Sequence, residues 1–316
     1  MEEVATNVTA LPARALPGSS GPPPSCAPGK LSRAAAFVAL TKPRIIELLL
    51  VTTIPTMVLA AGGWPPARAL AATLIGGALS AGGANAANMY FDRDIDALMH
   101  RTSNRPLVTG AVSARSALVF AASLEVAAFL VLLLAVNVLA AVLALGAALF
   151  YVLVYTALLK RTSPQNIVIG GAAGAVPVLV GWAAVTGSIS WAPVLLFLLV
   201  FLWTPPHFWA LAIRYRDDYS RAGVPMMPVV RSVRGTSWQV LIYALATVAT
   251  SAGFGVIAGM HWLYWATAAA AGTAFVAFSC KLVAQKTASA AMAVFHWSIT
   301  YLSLVFVATA LDVLVR

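Results

Sequence analysis

Charge is what this sequence has least of. Only 9% of its 316 residues are Asp, Glu, Lys or Arg, while 61% are hydrophobic. Soluble domains carry roughly 25% charged residues, and over half of a soluble protein's surface is already apolar with a normal composition. A soluble globular class is therefore excluded. Cysteine is nearly absent too. Cys26 and Cys280 lie in unlike settings, one among Pro, Gly and Ser and one in an apolar run. That excludes a disulfide framework and any cysteine-based metal spacing. Acids are scarce as well, 10 against 20 basic residues, for a formal charge of +10.

What remains is apolar length. Runs near 20 apolar residues, enough to cross a bilayer core as a helix, recur along the chain. The pattern predicts an all-α polytopic membrane protein with nine spans near 37–62, 67–90, 116–135, 138–159, 166–187, 190–213, 238–259, 262–280 and 289–312. With the N-terminus inside, 18 of the 20 basic residues fall on the inner side, and only Arg68 and Arg316 fall outside. Lys and Arg concentrate on the cytoplasmic side of membrane proteins, so the expected topology is N-in, C-out. The same asymmetry explains the basic excess without nucleic acid. Residues 1–35 ("LPGSSGPPPSCAPG" within them) have no apolar period and read as a disordered cytoplasmic tail, with 36–316 as the transmembrane domain. Glu2 and Glu3 make the tail a poor mitochondrial transit peptide, and no short apolar region with a cleavage site precedes the first span.

Two inner loops are long, 91–115 and 214–237, four spans apart, and both open on acids. The arrangement suggests two four-helix half-repeats plus one helix, with both loops at one mouth of the bundle. In "NMYFDRDID", Asn88, Asp92 and Asp96 recur at i, i+4 and i+8, along one helix face over about 12 Å of rise. In "RYRDDYSRAGVPMMP", Arg214, Asp217, Asp218 and Arg221 also share a face. Carboxylates and an amide suit Mg²⁺, which takes oxygen ligands and is usually held by one or two carboxylates together with substrate phosphates. The cations Arg101, Arg105, Lys160, Arg161, Arg214 and Arg221 could neutralise a leaving diphosphate. The plainer alternative is a set of solvated interfacial charges, but five of the chain's 10 acids lie in these two clusters. "DRDIDALMHRTS" lacks the central Gly and terminal Glu of a calcium loop. A transporter would hold its charges near the midplane, whereas these acids end spans.

"NMYFDRDID" resembles the N-x-x-x-D-x-x-x-D motif of the intramembrane (UbiA) prenyltransferase superfamily. "TKPRIIELLL", "DALMHRTSNRPL", "YTALLKRTSPQNIVIGGAAGAVPVLVGW", "TPPHFWALAIRYRDDYSRAGVPMMPVV" and "HWSITYLSLVF" resemble the heme-modifying branch of that superfamily, the protoheme IX farnesyltransferases. The resemblance runs from about residue 36 to the C-terminus. It implies a nine-helix bundle in a bacterial plasma membrane, with a cytoplasmic active site. It further implies transfer of the farnesyl group of farnesyl diphosphate to a vinyl group of heme b, with water addition, giving heme O. Asn88, Asp92 and Asp96 match the first Mg²⁺–diphosphate motif and Asp218 the second; Arg101, Arg105 and Lys160 match diphosphate positions. The family's second motif is often D-x-x-x-D, whereas this chain has adjacent Asp217 and Asp218, which leaves open the carboxylate that meets metal. Implied partners are both substrates, the bilayer and, downstream, heme A synthase or cytochrome oxidase assembly.

Other residues carry two readings. His207, inside the sixth span, either contacts heme or is packed and hydrogen-bonded below Pro205–Pro206. His296 is a weaker case of the same kind, with Ser298 and Tyr301 near to satisfy it. Lys42 and Arg44 either anchor the first span or bind heme propionate or diphosphate. Glu47 and Glu125 are carboxylates at membrane depth, a cost of roughly 2.5–3.5 kcal/mol each. Glu47 is expected to pair with Arg44, and Glu125 to face the chamber or find a partner.

Overall fold

The computed structural model describes residues 32–316. The expected tail therefore lies outside the described residues, apart from its last positions. Those already belong to a helix: Ser32 accepts from Ala35 N at 3.2 Å and caps α1, Arg33–Leu40. Every regular element among the described residues is helical. Eight helices are long and apolar enough to cross a membrane, and a bent pair makes a ninth.

The bent pair is α1 with α2, Pro43–Ala61, turned by 50° at the break. Its cause is local. Proline disfavours the helical region for the residue before it, and Lys42 takes φ +53° and ψ +64°. Next come α3, Ala67–Phe91, and the short α4, Arg93–Leu98. Asp92 joins them with φ −89° and ψ 0°, so the middle residue of the acid motif sits at the junction of the two helices. Then α5, Ala114–Ala135, and α6, Val138–Leu149, are joined by a turn in which Asn137 Oδ1 accepts from Ala140 N. The fourth span continues from α6 through a π-helical segment, Phe150–Leu159, into α7, Lys160–Thr162. Such widened turns leave an extra residue per turn and often occur at functional sites. Here the turn stacks Tyr151 on Tyr155 with ring centroids 5.4 Å apart.

The remaining elements are α8, Asn166–Thr186; α9, Trp191–Arg214; α10, Arg216–Arg221; α11, Met227–Val230; α12, Val233–Ile257; α13, Trp262–Gln285; and α14, Ala288–Leu314. α9 stays helical through Pro205 and Pro206. In the second half, α9 packs against α8, α12 and α14. Trp209, Phe254, Tyr264, Phe275, Tyr301 and Phe306 are fully buried there. Asp312, buried at the end of α14, accepts from His261 N at 2.8 Å and Tyr264 N at 3.2 Å. It thereby satisfies donors at the start of α13. In the first half, α3 lies against α5. A Cβ at Gly83 would fall 2.9 Å from the Ala121 carbonyl, so glycine permits this approach, as small residues do in membrane helix pairs.

Arg44 and Glu47 are both exposed, and the ion pair expected between them is absent among the described residues. An exposed pair of this kind gains little Coulomb energy to offset the cost of ordering two side chains.

Candidate active site

The C-terminal turns of α3 and the short α4 deliver the first acid motif to one end of the bundle. Asn88, Asp92 and Asp96 are all buried, and Asp92 is completely so. Each acid has met a base. Lys160 Nζ reaches Asp92 Oδ2 at 2.5 Å, and Arg105 Nη1 reaches Asp96 Oδ2 at 2.6 Å. Asn88 links the pieces: its Nδ2 donates to Asp92 Oδ2 at 2.8 Å and to Thr156 Oγ1 at 3.0 Å, and its Oδ1 accepts from Lys42 Nζ at 2.6 Å. Thr156 lies in the π-helical segment, and its hydroxyl donates to Tyr151 O at 2.9 Å. The second oxygen of Asp92, Oδ1, is buried with no protein partner. A buried carboxylate oxygen left unsatisfied is expensive.

The second long loop comes to the same mouth. Arg101 Nη2 donates to Tyr219 Oη at 2.6 Å, and its guanidinium stands over the Tyr219 and Tyr215 rings at 5.1 and 5.5 Å. The two loops that the acids singled out are thus joined by one charge-assisted hydrogen bond. Burial pushes the Tyr219 phenol above its ordinary range, against the pull of Arg101, so it stays protonated. Between the two acids of α10, Asp218 is buried beside Arg221 and Asp217 is exposed. Among the described residues no three His, Cys, Asp or Glu side chains converge on a common point.

Behind this polar mouth runs a cavity of about 370 Å³. Lys42, Asn88, Asp96, Arg101, Arg105 and Lys160 line its polar end. Leu49, Ala81, Ala144, Val176, Val180 and Trp203 are among the apolar residues further along. The geometry corrects several expectations. Arg161 turns away from the cavity, gripping Asp94 through two contacts of 2.7 Å and the Phe91 carbonyl at 2.6 Å. That hydrogen bonding holds the exposed Asp94 carboxyl down to about 2. Arg214 is exposed against Tyr215, and Arg221 is bound to Asp218; neither lines the cavity. Arg44 is exposed and does not line it either, whereas its neighbour Lys42 does. His207 is packed between Trp203 and Phe295, with ring centroids 4.4 and 4.5 Å away, and its Nδ1 lies 2.8 Å from Ser298 Oγ. The packed-histidine alternative describes it, and Trp203 rather than His207 meets the cavity. His296 is exposed, and Ser298 serves His207 instead.

Tyr219, Thr156 and the Tyr151–Tyr155 stack escaped the sequence reading. Nothing local marks a tyrosine that will partner an arginine 118 positions away, and a π-helical turn has no reliable sequence signature. Asn85, which donates to the Thr41 carbonyl at 3.0 Å and lines the cavity, had a usable signal as a polar residue one turn before Asn88.

A fold of crossing membrane helices with an acid–base mouth and an apolar chamber matches a known class. The UbiA prenyltransferase family is matched over residues 49–304. The chain belongs to the UbiA prenyltransferase family. It is 54% identical over 287 residues to a protoheme IX farnesyltransferase of Clavibacter michiganensis, covering 90% of this chain and 94% of the relative. It is 53% identical over 291 residues to one of Streptomyces avermitilis, covering 90% and 95%. Among solved structures, a digeranylgeranylglyceryl phosphate synthase superposes with a TM-score of 0.76 at 17% identity, covering 90% of this chain and all (100%) of that one. A UbiA homolog from Archaeoglobus fulgidus bound to GPP and Mg²⁺ gives 0.62 at 17% identity, over 89% and 100%. At such identities the two structures establish the fold.

Proposed function

We infer that this chain transfers the farnesyl group of farnesyl diphosphate to a vinyl group of heme b, with addition of water, to give heme O and diphosphate. The observation that carries this reading is the relationship just described: over 50% identity across nine-tenths of the chain to protoheme IX farnesyltransferases. The site's chemistry is consistent with it. Four cations at the cavity mouth and an apolar interior suit a diphosphate headgroup on an isoprenoid tail.

A divalent ion fits the mouth. The donors are all oxygens, as Mg²⁺ prefers, and Asp92 Oδ1 is a buried carboxylate oxygen without a partner. Asn88, Asp92 and Asp96 would hold it, Asn88 and Asp96 lining the cavity and Asp92 buried beside them; of the second loop's acids, which do not line the cavity, buried Asp218 is better suited to join them than exposed Asp217. When bound, Mg²⁺ supplies Lewis-acid stabilisation of the leaving diphosphate.

The chain's own residues do the rest. Lys42, Arg101, Arg105 and Lys160 bind diphosphate oxygens and stabilise the negative charge that grows as the allylic C–O bond breaks. Tyr219 fixes the plane of the Arg101 guanidinium. Lys160 and Arg105 hold Asp92 and Asp96 in place. The chamber walls exclude bulk water while the farnesyl cation adds to the electron-rich vinyl carbon. Water then captures the heme-side cation, the step that separates this reaction from aromatic prenylation, where a proton is lost instead. The basic asymmetry supports an N-in, C-out orientation in a bacterial plasma membrane, with the mouth on the cytoplasmic side. All the assigned residues lie within 36–316, the catalytic domain. Heme A synthase or the oxidase assembly machinery would receive the product.

The test is direct. Membranes holding the protein, given heme b, farnesyl diphosphate and Mg²⁺, should yield extracted heme with the mass of heme O. Asp92→Asn should reduce that product by about 100-fold or more at normal expression. Continued heme O formation by the variant would remove Asp92 from the chemistry.

A further inference from the structure

Resting on the farnesyl-transfer reading, we propose that Ser80 and Glu125 form the relay that delivers water to the heme-side cation and carries its proton away. The final step needs one water inside an otherwise apolar chamber, and that water needs a hydrogen-bond acceptor to orient it and a base to take its proton. The mouth residues are committed to the diphosphate end. Along the chamber wall, Ser80 on α3 lines the cavity, two turns deeper than Asn88, which is about 12 Å of rise.

Three observations point to this pair. Ser80 Oγ donates to Glu125 Oε2 at 3.2 Å. Its single proton being engaged there, the lone pairs of Oγ are left to accept from a water in the cavity. Glu125 Oε1 is buried without a hydrogen-bond partner of its own, and besides Ser80 the carboxyl meets only the Ala84 N–H, so this carboxylate is underused by the fold. And α3 is built to admit it: a Cβ at Gly83 would lie 3.0 Å from Glu125 Oε1 and 3.1 Å from its Cγ. A carboxylate at membrane depth is costly to insert and is a functional candidate by default. One neutral serine hydroxyl at 3.2 Å and one backbone N–H are a poor return for that cost if the role were packing alone.

The step balances without a redox partner. The C1–O bond of farnesyl diphosphate breaks and its electron pair leaves with diphosphate. The vinyl π pair forms the new C–C bond, leaving a cation on the ring-side vinyl carbon. A water lone pair closes that cation to the hydroxyl carbon. One water proton passes to Ser80 Oγ as the serine proton passes to Glu125 Oε2. Ser80 is the group that touches the reacting water, and Glu125 is a positioning residue and proton acceptor acting through it.

Without the relay, the cation should lose a proton from the neighbouring carbon and give an alkene instead of an alcohol. The experiment measures extracted heme by mass for Ser80→Ala, Ser80→Thr and Glu125→Gln, with diphosphate release followed in parallel. In the prenylated heme that forms, Ser80→Ala and Glu125→Gln should cut the ratio of heme O to the product lighter by one water at least ten-fold. Ser80→Thr, which keeps a hydroxyl, should restore it. Ser80→Ala or Glu125→Gln enzyme whose prenylated heme is still all heme O, however slowly made, would overturn the relay. Should Glu125→Gln fail to accumulate in membranes, Ser80→Ala, which removes one hydroxyl from a helix, decides the matter alone. Wild-type protein that releases no diphosphate and makes no prenylated heme of either mass would instead sink the farnesyl-transfer reading itself.

Discussion

Lys160→Met is the most informative single change at the mouth. The Asp92 carboxylate is fully buried and the Lys160 side chain is 15% exposed, with 2.5 Å between the charged atoms. At an effective dielectric of roughly 20, that separation corresponds to about 6–7 kcal/mol of gross attraction. Desolvation of both groups takes back most of it, so the intact pair contributes little net stability. Breaking it is another matter. With methionine at 160, Asp92 keeps only the Asn88 amide, and an uncompensated buried carboxylate costs about 3–5 kcal/mol. Asp92→Asn should cost less, because the freed Lys160 retains contact with the open cavity. The double variant Asp92→Asn/Lys160→Met should recover most of the loss, since no charge is stranded. Thermal unfolding in detergent, with metal chelated, would read the single change as a drop of about 5–8 °C. A Lys160→Met protein that melts like wild type, or single effects that simply add in the double variant, would refute the reasoning.

Tyr219→Phe removes the acceptor that orients Arg101. A charge-assisted bond contributes about 1.5–3 kcal/mol, so the KM for farnesyl diphosphate should rise about 10- to 100-fold, read by titrating the substrate. Arg105→Gln should abolish turnover, while Arg161→Gln should leave it within about three-fold, because Arg161 serves Asp94 outside the cavity; product mass at fixed time separates them. Asp94, held down to about 2 by Arg161, contributes stability that is present above the ordinary carboxylate range and lost as pH falls through about 2. With 62% of its side chain exposed that contribution is under about 1 kcal/mol, so Arg161→Gln should shift the acid unfolding limb only slightly. Gly170→Ala would drive a Cβ into the Tyr155 ring and should lower stability by about 1–3 kcal/mol. Gly174 lines the cavity with open space where a Cβ would go, so Gly174→Leu should fold and shift preference toward a shorter prenyl diphosphate in competition assays.

Much of this protein could be read along the chain because its information is periodic or compositional. Apolar length alone placed nine spans within a few residues, since a bilayer admits only one kind of helix core. The face shared by Asn88, Asp92 and Asp96 follows from the i, i+4, i+8 spacing. What the sequence could not decide was where long side chains end up. Lys160 and Arg161 are neighbours, yet about 100° of helix rotation sends one to Asp92 and the other to Asp94. Lys42 and Arg44 looked interchangeable, but the left-handed turn before Pro43 aims only Lys42 at Asn88. His207 had two readings until α14 brought Phe295 and Ser298 against it. Local pattern determined the helices and the acid face, because both depend on residues within a few turns. The meetings of Lys42 with Asn88, Lys160 with Asp92, Arg161 with Asp94 and Arg101 with Tyr219 span 46 to 118 positions, and only the packed bundle brings those together.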